Sequence, residues 1–353
     1  MDVYERFQEK LDSLPIPSPK TESRVELEIF KRLMSSAEAE IACNLAGQPE
    51  DLKTISQRAG MEVEKLAPVL EELARRGVIF KVVFAPEPLY CLVPVMPGVY
   101  EFQLNRLSPD MISLFEKYYD EKHGEACFSN KTPFMRVVPV NKSIPAELNI
   151  LTYEEADNLI DESPTVCLAT CLCRTNKELI GEGCTFPKDD ICILFTPWAE
   201  YYIKYGLGRK ASKEEAKNAL RRAEEAGLVH CAMNVQTGGV GICNCCSCCC
   251  AILRGVTQLK IPTAVAKSNF VVELSEDECT GCGACVDRCQ VQALELADST
   301  VALKIERCIG CGLCVTTCPA EVMTLKKRQE EIVPPNDMND LMVAIQKGRE
   351  VQG

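Results

Sequence analysis

Cys279-Thr-Gly-Cys282-Gly-Ala-Cys285-Val-Asp-Arg-Cys289 is followed by Cys308-Ile-Gly-Cys311-Gly-Leu-Cys314-Val-Thr-Thr-Cys318-Pro319, two tandem copies of C-x2-C-x2-C-x3-C. Thiolates are soft, charged ligands suited to iron–sulfur clusters. Each tight loop must bend round a bulky inorganic core, and Gly281, Gly283, Gly310 and Gly312 let the backbone curl without a Cβ in the way. Pro319 stops the second loop from continuing as helix. Zinc knuckles and disulfide scaffolds are the competing explanations. Zinc takes four ligands as two separated pairs, and eight cysteines in this doubled pattern fit it poorly.

On these residues the stretch 268–328 resembles the bacterial-type ferredoxin domain with two [4Fe-4S] clusters. The resemblance implies that Cys279, Cys282, Cys285 and Cys318 hold one cluster, and that Cys308, Cys311, Cys314 and Cys289 hold the other. Gln290 departs from the pattern, which usually has proline there; the change affects a turn and leaves the ligands in place.

The whole chain sets the frame. Its 353 residues exceed one typical domain, and 46% hydrophobic with 25% charged residues is an ordinary soluble composition. The segment MDVYERFQEK has no apolar signal core, and nowhere do eighteen apolar residues run together. A cytoplasmic location without membrane insertion is therefore expected. A net charge of −12 argues against nonspecific binding to nucleic acid or anionic lipid. In a reducing compartment 23 cysteines read as metal ligands or redox groups rather than disulfides. Three precede residue 130, twelve lie between 167 and 250, and eight are in the ferredoxin-like stretch. With only His123 and His230 present, metal must be held mainly by sulfur.

The expected fold is α+β and multidomain. Residues 1–20, ending Leu-Pro-Ile-Pro-Ser-Pro, read as an extended arm. Residues 21–100 read as helices and then a hairpin across Ala85-Pro-Glu-Pro88. Leu52-Lys-Thr-Ile-Ser-Gln-Arg-Ala-Gly60 and Leu70-Glu-Glu-Leu-Ala-Arg-Arg-Gly-Val-Ile79 make this region similar to a winged-helix domain. Its second helix carries Glu62, Glu64, Glu71 and Glu72, which favours docking or packing over insertion beside phosphates. Residues 101–145 read as a connecting segment containing a helix after Ser108 and extended chain with strands from Lys131 to Pro145, and Cys43, Cys91 and Cys127 as small buried apolar residues.

Residues 146–267 form the expected cysteine-rich α/β middle domain. Capping boxes are expected at Thr152/Glu155 and Ser212/Glu215. Two cysteine-rich turns, Cys171-Leu-Cys173-Arg174 and Cys243-Asn-Cys245-Cys246-Ser-Cys248-Cys249-Cys250, flank a helical pair, an arrangement suited to a discontinuous metal site. The candidate ligands are Cys171, Cys173, Cys243, Cys245, Cys246 and Cys248, with Cys184 and Cys192 secondary and Cys167 and Cys231 assigned to the core. An additional iron–sulfur cluster leads; zinc and a redox dithiol stay open. The paired cysteines are similar to the cysteine-rich domain of heterodisulfide reductases, although Ser247 stands where that family has the glycine of Cys-Cys-Gly. Arg174 can offset cluster charge or bind an anion. Trp198, Tyr201, Tyr202 and Tyr205, at helical spacing, read as core, and His230 as a hydrogen-bonded residue. Gly238-Gly-Val-Gly241 lacks the setting of a dinucleotide fingerprint. Residues 329–353 form a tail with a short helix.

The layout as a whole is similar to a group of iron–sulfur proteins of anaerobic bacteria. That likeness implies single-electron transfer between redox partner proteins in a multisubunit assembly. The alternatives are a reductase with its active site in the middle domain and a redox-sensing regulator using the winged helix.

Overall fold

The computed structural model describes residues 1–145, 148 and 150–352; the expected domain boundary at 146 and the final residue 353 lie outside it. The arm expected over residues 1–20 is helical from Val3 to Asp12. Asp2 and Glu5 close a capping box, and Val3, Tyr4, Phe7 and Leu11 bury one face. The prolines shape only the segment beyond Asp12.

Helices Val25–Leu33, Ser36–Ala42, Leu52–Ala59 and Val63–Arg75 come next. Between the last two, Gly60 takes the left-handed conformation (φ +62°) that a sharp helix-to-helix turn needs. Strands Phe80–Val82 and Leu89–Cys91 pair antiparallel, with Phe80 opposite Cys91, and Glu50–Asp51 adds a third strand opposite Tyr90 and Leu89. Pro109–Tyr118 is a helix whose N-terminus is capped by Ser108, as its sequence predicts.

The middle region is built on a six-stranded antiparallel sheet. Its spatial order is Met135–Val138, Val229–Met233, Gly241–Cys245, Cys192–Phe195, Val166–Ala169 and Arg209–Ala211. Met135–Val138 comes from the segment read as a connection. All four of its residues are buried, so the stretch belongs to the sheet rather than to a joint. The Thr152/Glu155 box does not form: Glu154 caps Leu151 N–H instead, and the helix starts at Ala156. The Ser212/Glu215 box does form, and the helix Lys213–Ala226 ends on Gly227 (φ +87°).

Period-two alternation sorts the two faces of this sheet. Val166, Leu168, Ile193, Phe195, Ala232 and Ile242 face the helices Ala156–Glu162 and Lys213–Ala226 in one apolar core. Cys192, Leu194, Cys231, Cys243 and Cys245 belong to the other face, with Cys231 directly opposite Cys243. One face is therefore carbon and the other largely sulfur.

The C-terminal region pairs Phe270–Leu274 with Met323–Lys327 and carries a hairpin, Leu294–Ala297 with Thr300–Leu303. It docks on the chain that leaves the sheet's edge strand. Val140 N–H donates to Cys311 O (3.0 Å), and Ser143 Oγ donates to Gly312 O (2.7 Å). The tail helix Met338–Gln352 returns to the N-terminal region, where Arg349 donates to the carbonyls of Asp12 and Leu14. Among the described residues no helix is long and apolar enough to cross a membrane.

Candidate metal centres and a thiol-lined cavity

Gly281, Gly283, Gly310 and Gly312 all take the left-handed conformation, with φ of +63°, +78°, +72° and +79°. At Gly310 a Cβ would collide with the Phe270 carbonyl and Ser268 Oγ, so the loop is closed to any larger residue. Cys279, Cys282, Cys285 and Cys318 line one hollow. Burial raises the Cys285 thiol first, and neighbouring Cys318, Cys279 and Cys282 raise it further. The second set is deeper. Burial pushes the Cys311 thiol up to about 12, and the thiols of Cys289, Cys308 and Cys231 add to the rise. Backbone N–H groups point at sulfur: that of Gly281 leads in holding the Cys279 thiol below its usual range, and Ala293 N–H lies 3.2 Å from Cys289 Sγ. Two sets of thiols in curled loops with amide donors fit [4Fe-4S] clusters.

The run Cys243–Cys250 divides three ways. Cys243 and Cys245 end the strand Gly241–Cys245, Cys250 caps the helix Ala251–Thr257, and Cys246, Cys248 and Cys249 sit on the turn between. The turn's sulfurs meet Cys184, which arrives on the loop after the helix Leu172–Leu179. The four Sγ atoms lie within 4.8 Å of one another. Cys249 Sγ is 3.5 Å from that of Cys184 and 3.8 Å from that of Cys248.

The remaining thiols string along a cavity of about 780 Å³. Cys173 adjoins Cys171 and Cys250; Cys245 adjoins Cys250, Cys243 and Cys231; Cys243 adjoins Cys192. Leu92, Met96 and Pro97 of the N-terminal half close one side, and Met338 and Met342 of the tail helix another. Glu101 also faces it. Burial raises its carboxyl to about 7, although Gly98 N–H donates to it at 2.6 Å.

Arg174 lines this cavity at 2% exposure. Its Nη2 donates to Asn244 O (2.7 Å), while Nε and Nη1 are buried with no partner. A buried guanidinium short of acceptors costs free energy unless an anion completes it, and the thiols of Cys171, Cys246 and Cys245 are its neighbours. The Asn244 side-chain oxygen lies 2.6 Å from His230 Nδ1, so His230 is hydrogen-bonded within the core.

Of the six sequence candidates, Cys246 and Cys248 join the tetrad, and Cys171, Cys173, Cys243 and Cys245 face the cavity. Cys184 belongs to the tetrad and Cys192 to the cavity wall. The structure adds Cys249 to the tetrad and Cys250 to the cavity, neither of them a sequence candidate, and places Cys231 on the sulfur face; Cys167, fully buried opposite Leu194 on that face, lines neither the tetrad nor the cavity. Strand alternation was the available signal: Cys243-Asn-Cys245 places both thiols on one face. Trp198 and Tyr202, expected in the core, pack on Phe102 and also border the cavity.

No curated protein and no solved structure matches the chain. Residues 271–333 match the family model of the 4Fe-4S dicluster domain, which implies [4Fe-4S] clusters and iron–sulfur electron transfer for the C-terminal region.

Proposed function

We propose that this chain is an electron-transfer protein whose C-terminal domain feeds electrons inward, toward the thiol-lined cavity of the middle region. One observation carries the reading: Cys311 O accepts from Val140 N–H on the chain leaving the edge strand, whose Val137 stands opposite Cys231 of the sheet's sulfur face, and Cys231 bonds Cys245. Cys279, Cys282, Cys285 and Cys318 would hold the outer cluster, and Cys308, Cys311, Cys314 and Cys289 the inner one. When bound, the clusters supply one-electron steps. The chain's own contribution is position. Cys282 is exposed, so the outer set faces a partner, while the inner set faces the body.

Glu276, Asp277 and Glu278, exposed beside the outer set, suit a basic redox partner within a larger assembly. The N-terminal helices and hairpin, read as a winged-helix-like module, serve packing. Tyr201 and Tyr205 of the middle region bond Ala74 O and Glu71, which engages the helix Val63–Arg75 with the protein itself. Anaerobic iron and acid-labile sulfide counting with EPR tests the reading. About eight irons are expected from the C-terminal domain alone. A Cys171→Ser/Cys173→Ser variant that loses about four more marks a further cluster on the cavity wall. Iron-free protein after reconstitution sinks the electron-transfer reading.

The cavity itself favours a second reading, a reductase that takes electrons singly from a reduced partner. Its volume and the incompletely bonded Arg174 suit an anionic substrate. Substrate-dependent reoxidation of the reduced protein, abolished in Arg174→Gln, distinguishes it from a relay.

A further inference from the structure

We infer that Cys184, Cys246, Cys248 and Cys249 form a closed tetrathiolate site for a single zinc ion, a structural centre separate from every iron–sulfur cluster of the chain. Distance decides between the metals. Four sulfurs about 2.3 Å from one tetrahedral zinc stand about 3.8 Å from each other. Cys249 stands 3.5 Å from Cys184 and 3.8 Å from Cys248, and no pair exceeds 4.8 Å. A cube of four irons stands between its thiolates and holds them markedly further apart, so this tetrad is too tight for one. Four protein thiolates also leave no position for water or substrate, which is the pattern of a structural rather than a catalytic zinc.

The surroundings support the same assignment. Four thiolates leave the site with net negative charge, and Arg174, with two N–H groups lacking acceptors, lies beside Cys246. Cys246 and Cys249 are buried, whereas Cys248 is exposed, so the site lies at the protein's edge and is open to metal loading. Binding ties the loop that carries Cys184 to the turn 246–249. The same turn is gripped from the other side: Ser247 N–H and Oγ both donate to Gln290 Oε1, at 2.9 and 3.0 Å. One ion thus fixes the wall on which Arg174 and Cys245 meet the cavity. Zinc has no redox chemistry of its own, so the electron count of the clusters is untouched.

The test uses the full chain, purified anaerobically from zinc-replete cells and, separately, from cobalt-supplemented cells. About one zinc per chain is expected beside the iron. The cobalt protein should show the intense visible ligand-field bands of a tetrahedral tetrathiolate. Cys184→Ser/Cys249→Ser should lose the zinc and those bands and keep its iron. Should that variant fail to fold, Cys248→Ser, altered at the exposed ligand, should shift the cobalt bands toward three-sulfur coordination. Zinc-free wild type, or a variant that loses iron in place of zinc, overturns the assignment; unchanged metal content and cobalt spectra in both variants do so equally. None of these outcomes depends on whether the C-terminal domain transfers electrons.

Discussion

Gln290 stands where the dicluster pattern usually has proline, and its side chain accounts for the exchange. Its Oε1 accepts twice from Ser247, and its Nε2 donates to Gly227 O (3.1 Å). Proline has no such groups. Ser247 is itself the residue that departs from the Cys-Cys-Gly step, so the chain's two departures from familiar patterns bond to each other. Neither meaning was legible in the sequence, because each residue makes sense only beside a partner forty-three positions away. Gln290→Ala leaves the Ser247 N–H without its acceptor and should cost about 1–3 kcal/mol. Anaerobic denaturant titration of the full chain measures this, and a loss within error would show that the two regions are held together elsewhere.

Elements show where sequence patterns succeed and where they fall short. The helix after Ser108 and the Ser212/Glu215 box were legible because caps are local chemistry. The helix Val3–Asp12 was obscured by the prolines just beyond it, although Asp2 and Glu5 mark its start. The Met135–Val138 strand was legible as extended chain with strands, but its place in the sheet was hidden because its pairing with Val229–Met233 spans nearly a hundred residues. Glycine loops offer a controlled comparison. Gly310→Ala drives a methyl into the Phe270 carbonyl, whereas Gly283→Ala meets nothing within 4 Å. Both carry the modest left-handed strain of about 1–2 kcal/mol. Iron counting should therefore show about four irons lost in the first and near-full occupancy in the second. Glu71 ties the helix Val63–Arg75 to the middle region. Burial opposes its charge, but bonds from Lys204, Lys81 and Tyr205 outweigh that and hold its carboxyl at about 2. Its folded pKa lies below the unfolded value near 4.5, so its contribution is present above pH 4.5 and lost as pH falls toward 2. Glu71→Gln should raise amide exchange in the helix Trp198–Lys204 at neutral pH, with the difference from wild type shrinking over that acid window.

At the scale of the molecule, the two C-terminal cysteine sets differ in what covers them. The outer set includes exposed Cys282, while Cys311 and Cys314 of the inner set are strongly raised by burial. Chelator-driven bleaching of the loaded protein should run in two phases, with about four irons leaving early. A single phase would mean that docking gives no shelter. The dicluster architecture was readable at once from spacing, but the cavity was not. It is assembled from the N-terminal half, the sheet's sulfur face and the tail helix, and no one stretch contains it. The tail has a consequence in time. Met338 and Met342 complete the cavity wall and Arg349 fastens this helix to Asp12 and Leu14, so a chain in which the helix has yet to dock presents an unfinished chamber. Loading a cofactor onto the thiol wall is accordingly easier before that helix docks than after.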